Sequence, residues 1–288
     1  MGWFEKTKSI NFEKLYNLFL YHQWASKMNI FELVIPGTHL NFKDKMLALK
    51  FKNLLEQLES AFYDANVALN LFDSQRAKEF YHDDSTPERW HINSKKKQEL
   101  KQKICKERGL SLYDYDVELD AEVEIILKKE KWESGEHPLS HLHRVIFLHA
   151  KSFIYALDAI EKFLKVISEE QDSPHKIKLL HAQIDSDFPN LRGVRNSAHH
   201  PEDRARGLGA GKPPQPLKLQ TVDSDFFSAP QEALMLGSLC ETKFGCTMAD
   251  GHYGEVDISK ESMVKLQFII QEAFNAFEWI GPKQHLPK

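Results

Sequence analysis

The sequence predicts an all-α protein, a helical bundle with a small inserted β-hairpin and an additional N-terminal helical region. The first observation is that apolar residues recur at three- and four-residue steps over long stretches, as in amphipathic helices. The second is the composition of the 288 residues, 42% hydrophobic and 28% charged, which is typical of globular proteins. The third is that only one place, near Asp250-Gly251, carries a clear hairpin signal.

The first 135 residues predict four helices, and we assign them to an N-terminal helical region. The longest has an apolar stripe that runs from Leu47 to Phe72. Residues 82–95 are polar and contain Pro87, which predicts a linker or surface loop. Gly109 is suited to cap the helix before it. The four predicted helices cover about Phe12–Ile30, Asn41–Phe80, Lys95–Arg108 and Val117–Trp132.

Residues 136–288 predict a C-terminal helical bundle that contains a loop at 201–233 and a hairpin at 243–258. Pro201 disfavours helical geometry at the residue before it, so a helix should end at His199 or His200. Asp250-Gly251 favours a tight type I′ turn between two short strands. Ser259 is a good N-cap for the last helix. The predicted helices cover about 139–170, 174–188, 190–200 and 259–279.

Charge and cysteine usage exclude several classes of protein. The net charge of −4 argues against coating nucleic acid by bulk attraction, so any basic site must be local. The three cysteines, Cys105, Cys240 and Cys246, fit neither a disulfide framework nor a four-cysteine zinc site. Such usage suits a reducing cytoplasm, which is the expected location. With neither a signal-peptide pattern nor a long apolar run in the sequence, we expect no membrane association.

One short segment, Arg195 to His200 at a predicted helix end, combines residue types that can act on a phosphate. Arg195 and His199 are four residues apart and share a helix face, whereas His200 stands at the distorted end before Pro201. Histidine can accept a proton near neutral pH, and the arginine fork matches two phosphate oxygens. Asn196 can bond the phosphate or orient its neighbours. The segment is therefore a candidate catalytic site.

The order arginine, polar residue, then histidine resembles the R-x(4–6)-H motif of the HEPN superfamily. Arg195 matches the arginine of the motif, Asn196 the polar follower and His200 the histidine, while His199 falls one residue short of the spacing. The motif itself covers six residues, and its all-helical surroundings extend the resemblance to about 139–280. The hairpin after the motif and the long N-terminal half depart from a minimal HEPN bundle.

The resemblance implies a metal-independent endoribonuclease that cleaves RNA by means of the ribose 2′-hydroxyl. It implies His200 as general base and Arg195 with Asn196 on the phosphate. Because the motif of the family lies where two protomers meet, it also implies a homodimer. Many family members act in toxin–antitoxin or defence systems, so an antitoxin is a possible partner.

Local charge supports a phosphate-facing role for the segment. Residues 191–220 contain six basic and two acidic side chains, so this stretch is +4 whereas the rest of the chain is −8. A basic, glycine- and proline-rich loop can hold a nucleic-acid backbone. The residues predicted to bind RNA phosphates are Arg192, Arg204, Arg206 and Lys212.

Non-catalytic roles are also compatible with these residue types. Arginine and histidine at a helix C-terminus complement the helix dipole without any ligand. A non-catalytic module that binds RNA, a nucleotide or a protein fits the basic loop equally well. His137, His141 and His143 are typical of a half-exposed helix start rather than a zinc site, because no acidic ligand accompanies them. We expect neither a metal nor a cofactor.

Overall fold

The computed structural model describes residues 28–79, 87–111, 116–224 and 228–288, and this part of the chain is mostly helical. Its eight helices are α1 (Lys45–Glu79), α2 (Pro87–Arg108), α3 (Val117–Glu133), α4 (Leu139–Glu169), α5 (His175–Asp187), α6 (Leu191–His199), α7 (Pro201–Ala205) and α8 (Lys260–Asn275). Its strands are β1 (Leu33–Ile35), β2 (His39–Leu40), β3 (Thr221–Asp223), β4 (Ser228–Glu232), β5 (Ser238–Cys240), β6 (Lys243–Thr247), β7 (Tyr253–Asp257), β8 (Trp279–Ile280) and β9 (Gln284–Leu286). The prediction of a mostly helical fold with a small hairpin is confirmed.

The strands form small antiparallel groups. The strand β1 pairs with β9 and β2 with β8, so residues near position 35 are joined to the last residues of the chain. The strands β3 and β4 form a further pair, within the region predicted as a loop. The strands β5, β6 and β7 form a three-stranded sheet whose last two strands are the predicted hairpin.

The chain divides into two compact units. Of the described residues, the first unit contains those up to Ser74 together with those in Leu148–Lys288, and the second contains those in Gln75–Phe147. The ends of the first unit are joined by the β1–β9 and β2–β8 pairs. The boundary predicted near residue 135 lies inside the second unit.

The first unit has its core on the apolar faces of three helices. Along α1, α4 and α8 the apolar residues at helical spacing are buried, which follows from the free energy gained by removing them from water. The strand β1 packs on α8, and Gln271 of α8 bonds both the N–H and the carbonyl of Val34, at 2.8 and 2.7 Å. Fully buried members of this core include Phe51, Phe62, Phe72, Phe153, Leu157 and Phe274.

The second unit is built on a helical hairpin of α2 and α3. Its small core contains Ile104, Cys105, Leu119 and Val123. Three ion pairs join the two helices: Lys97 with Glu124 at 2.6 Å, Lys101 with Asp120 at 2.7 Å, and Arg108 with Glu122 at 2.7 Å. The start of α3 is capped by Asp116, whose side chain accepts from the N–H groups of Glu118 and Leu119.

Two predicted boundaries are wrong. The linker predicted at 82–95 lies outside the described residues at 82–86, but from Pro87 onward it is helical. Proline suits the first helical position because no N–H partner is needed there, and Glu88 complements the dipole. The last helix ends at Asn275 rather than near Trp279, which instead pairs with Leu40.

The turn of the β6–β7 hairpin differs from the predicted type I′. That type needs positive φ at both central residues, whereas in this turn only Gly251 has positive φ, at +90°. The Met248 N–H donates to the His252 carbonyl at 2.7 Å and Gly251 N–H to the Met248 carbonyl at 3.0 Å. The loop therefore has three residues, and the positive φ falls on its glycine, which adopts it without steric cost.

The remaining predictions on the chain have mixed outcomes. The helix predicted around Phe12–Ile30 lies outside the described residues except at 28–30, which are not helical. The cap predictions are confirmed, because Gly109 has a φ of +68° and Ser259 accepts from the Ser262 N–H at 3.2 Å. No helix in the described part of the chain combines the length and apolar character that crossing a membrane would need.

Candidate functional site

The helix α6 is fixed by its packing against the β6–β7 hairpin. Its buried face carries Leu191, Val194 and Ala198, and α6 contacts both strands of the hairpin. Gly193 allows the close approach, since a Cβ there would lie 2.3 Å from the sulfur of Met248. The Val194 carbonyl accepts a weak hydrogen bond from Cys246 at 3.7 Å.

The Cys246 thiol is buried where α6 packs on the β6–β7 hairpin. Burial raises the pKa of Cys246 to about 11, although the positive charges of Arg204 and Lys151 oppose the shift. The thiol therefore stays protonated at neutral pH and behaves as a small apolar side chain.

Arg195 is held by a carboxylate from a distant part of the chain. Its Nε donates to Asp158 Oδ1 at 2.7 Å, and Lys162 contacts Asp158 Oδ2 at 2.7 Å. Asp158 is 7% exposed, so the pairing takes place in a largely dehydrated environment. Among the described residues, the terminal nitrogens of Arg195 make no hydrogen bond. The guanidinium is thus anchored through Nε, and the side chain is 21% exposed.

Tyr155 packs against one of the histidines and feels the charge of Arg195. Burial raises the pKa of Tyr155, and the nearby positive charge of Arg195 opposes that shift. The ring of Tyr155 meets the ring of His199 edge-on, with centroids 6.1 Å apart. His199 in turn meets His200 at 5.0 Å. We call these two neighbouring sets of residues together the α6 cluster: Tyr155, Asp158, Lys162, Arg195, His199 and His200.

His200 leaves the helix, as Pro201 predicts. Its φ of −119° and ψ of 55° are not helical, and α7 begins at the following residue. The side chain is exposed, and its Nδ1 lies 3.4 Å from Glu202 Oε1. If Nδ1 carries the proton toward Glu202, the opposite nitrogen, Nε2, is left as a base on the outer side. The N–H of His200 donates to the Asn196 carbonyl at 3.0 Å, and the Asn196 side chain is half-buried.

Arg204, which the sequence predicts as a phosphate ligand, has a different environment. It is 6% exposed, its Nε donates to Ser197 Oγ at 3.1 Å, and its Nη1 donates to the Leu208 carbonyl. Because its hydrogen bonds tie α6 to the segment after α7, Arg204 stabilises the fold. Its burial leaves it without the exposure that a phosphate ligand needs.

The remaining predicted phosphate ligands are on the surface. Arg192 and Lys212 are exposed, and no contact in the described part of the chain joins either of them to the α6 cluster. Arg206 pairs with Asp203 at 2.6 Å, which neutralises part of its charge. The basic character of the loop is therefore weaker at Arg206 than the sequence predicts.

One group in the described residues has ligand atoms close enough for a metal ion. The ligand atoms of His200, Glu202 and Asp203 lie within 4.8 Å of one another. Two of the three residues are exposed, and Asp203 is already paired with Arg206. This arrangement gives a cation no desolvated cage, and histidines 137, 141 and 143 form no such group in the described part of the chain.

Sequence reasoning missed three members of the α6 cluster, Tyr155, Asp158 and Lys162, all of which lie on α4. Asp158 is separated from Arg195 by 37 positions in the sequence. A signal was present, because Asp158 interrupts the apolar run between Ala156 and Ile160. A carboxylate in such a position requires a partner, but the sequence does not say which cation supplies it.

In the comparisons with known proteins, no family model, no curated protein and no solved structure matches this chain.

Proposed function

We propose that the protein is a metal-independent endoribonuclease of the HEPN type, with the α6 cluster as its active site. The observation that supports this most is that Asp158 anchors Arg195, whose charge acts on Tyr155, while the Tyr155 ring packs against His199, the neighbour of His200. An anchored cation and an exposed imidazole are the two groups that RNA cleavage without a metal requires.

In the proposed reaction, Nε2 of His200 takes the proton from a ribose 2′-hydroxyl. The 2′-oxygen then attacks the adjacent phosphorus, and the bond from phosphorus to the 5′-oxygen breaks. The products are a 2′,3′-cyclic phosphate and a 5′-hydroxyl, which receives its proton from His199. Glu202 stabilises the His200 imidazolium as it forms, since its carboxylate lies beside Nδ1.

Arg195 stabilises the charge that builds on the phosphate. Its terminal nitrogens bind the non-bridging oxygens, while Asp158 fixes the guanidinium through Nε. Because the pairing is already made in the folded protein, little conformational freedom is lost when RNA binds. Asn196 completes the set as a phosphate or orienting group.

The activity is tested by incubating mixed RNAs with the protein in EDTA, beside His200→Ala and Arg195→Ala. We expect cleavage by the unmodified protein and a loss of about 10²–10⁴-fold in each variant. His252→Ala is the matched control, since His252 is exposed and lies 3.5 Å from Asp250, much as His200 lies beside Glu202. Equal cleavage by all four proteins indicates a contaminating nuclease and contradicts the proposal.

The HEPN-type proposal includes a second protomer that completes the site. Light scattering coupled to gel filtration tests it, with a homodimer as the expected result. If the protein cleaves RNA as a monomer, the proposed chemistry stands but the composite site formed by two protomers is wrong.

A second candidate is a non-catalytic module that binds RNA, a nucleotide or a protein. The pairing of Arg195 with Asp158 favours it, because a compensated arginine also serves a purely structural or binding role. RNA binding that survives His200→Ala, with no product from any protein, supports this candidate over the nuclease.

A further inference from the structure

A concave site lies in the first unit, between one stripe of α1 and the last residues of the chain. It has a volume of about 660 Å³, which suits a small organic molecule. The helix supplies polar residues at three- and four-residue spacing, from Lys52 to Tyr63. The facing wall is mainly apolar and contains Phe274, Trp279, Leu286 and Pro287. None of these residues belongs to the α6 cluster.

The polar side chains that line this pocket differ in their exposure to solvent. Glu59 and Tyr63 are half-buried, whereas Glu56 and Lys288 are exposed. Lys52 lies 3.7 Å from Glu56, and their side chains are 44% and 56% exposed. The rim is therefore a balanced, solvated set of charges. The inner part contains one carboxylate and one phenol.

These inner groups have few partners within the protein. Glu59 forms no ion pair with any described residue. The buried Tyr63 hydroxyl lies beside the Glu59 carboxylate, but among the described residues it makes no hydrogen bond of good geometry. Burial raises the pKa of Glu59 and the charge of Glu56 adds to the shift, while Tyr63 and Lys288 oppose it. A partly dehydrated carboxylate with no ion-pair partner in contact is destabilising, and a ligand that donates hydrogen bonds would relieve it.

The apolar wall restricts the rest of the ligand. The Trp279 indole N–H is already used, since it donates to the Phe274 carbonyl at 2.8 Å. Its ring therefore offers only apolar surface and a π-face, which attracts cations. Leu55, Leu286 and Pro287 add further apolar contact. The site combines an anionic inner end with an aromatic and aliphatic wall.

We propose that this pocket binds a small organic amine, with its ammonium group on Glu59 and its apolar body against Trp279 and Leu286. An ammonium has three N–H donors and no acceptor, so it matches a carboxylate and a phenol oxygen. A ligand carboxylate would meet Glu59 and be repelled. This binding site is independent of the proposed nuclease activity.

Isothermal titration of the full chain with three probes of similar size tests the proposal: 2-phenylethylamine, 3-phenylpropionate and 2-phenylethanol. We expect the amine to bind, the alcohol to bind at least about tenfold more weakly, and the carboxylate not to bind. The expected ratio follows from the strength of hydrogen bonds to charged groups. Equal binding of all three probes, or of none, overturns the proposal.

Variants locate the ammonium group. Glu59→Gln should weaken amine binding at least about tenfold and Tyr63→Phe a few-fold, whereas Glu56→Gln at the exposed rim should change it less than about twofold. Thermal unfolding of each variant checks that the fold is intact. If Glu59→Gln folds and binds the amine as the unmodified protein does, the assignment to Glu59 is wrong. If Glu59→Gln is unfolded, Tyr63→Phe is the test instead. A folded Tyr63→Phe that binds the amine as the unmodified protein does would contradict the assignment.

The pH dependence gives an independent readout. The raised pKa of Glu59 means that its carboxylate becomes protonated, as pH falls, at a higher pH than the value of about 4.3 that is usual for glutamate. Amine binding should weaken through that same range, and Glu59→Gln should remove this dependence. A pH profile that is unchanged in Glu59→Gln contradicts the proposal.

Discussion

Two faces of α6 are stabilised by different interactions, one by apolar packing and the other by an ion pair. One face packs on the β6–β7 hairpin through Leu191, Val194 and Ala198, all of them buried. The flanking face presents Arg195 and His199, and its main support is an ion pair to Asp158, 37 residues earlier in the chain. The apolar face keeps the helix in place, and the ion pair fixes the position of Arg195.

The largest expected effect is on the hairpin beneath the apolar face. Phe244 on β6 is fully buried, so Phe244→Ala should lower the free energy of unfolding by about 3–5 kcal/mol. Urea unfolding measures the change. Leu236→Ala, at a residue that is 46% exposed, is the control and should cost less than about 1 kcal/mol. A small loss at Phe244 would mean that the hairpin does not support α6.

The second prediction concerns the burial of Cys246 between α6 and the β6–β7 hairpin. With its pKa raised to about 11, Cys246 should react with iodoacetamide at least about 100-fold more slowly than the half-exposed Cys240 at pH 8. As pH rises toward 11, Cys246 gains thiolate and the ratio should narrow. Mass spectrometry of the alkylated peptides measures both rates. Similar alkylation rates for Cys246 and Cys240 at pH 8 would mean that the contact between α6 and the hairpin admits solvent.

The third prediction concerns the polar face. Asp158→Asn keeps the shape but removes the charge shared by Arg195 and Lys162, so unfolding should become easier by about 1.5–3 kcal/mol. The control is Asp203→Asn, which breaks the exposed pair with Arg206 and should cost less than about 1 kcal/mol. Equal costs for the two variants would mean that the Asp158 pair is no stronger than a surface contact.

Sequence and structure agree where one physical rule dominates. The stripe of α4 and the stop at Pro201 each follow from a local preference, namely apolar spacing or the geometry before proline. The start of α2 at Pro87 was missed because the same residue breaks one helix and begins another. The strand at Trp279 was missed because its pairing partner, Leu40, lies near the opposite end of the sequence.

At the candidate site, too, local features could be predicted from the sequence and long-range contacts could not. The motif at 195–200 is local and visible in the sequence, and so is the exposed, non-helical position of His200. The buried environment of Arg204 depends on Ser197 and Leu208, and nothing in the local pattern distinguishes it from Arg206. Tyr155 and Asp158 join the site only through tertiary packing, which a single sequence does not encode locally.

The smallest expected effect is on stability at the end of α6. His200→Ala should change the free energy of unfolding by less than about 0.5 kcal/mol, because the side chain is exposed and its contact with Glu202 is long. Thermal or urea unfolding measures it beside the cleavage assay. A loss of cleavage together with a large loss of stability would assign His200 to the fold rather than to the chemistry.

The central claim is that the α6 cluster cleaves RNA through the ribose 2′-hydroxyl, and product analysis on a paired substrate tests it most directly. An RNA oligonucleotide is cleaved in EDTA, the site is mapped, and the same oligonucleotide is prepared with a single 2′-deoxy nucleotide there. We predict a 2′,3′-cyclic phosphate end on the all-RNA product and no cleavage at the deoxy position. Cleavage at the deoxy position, or no cleavage of either oligonucleotide, would contradict the claim.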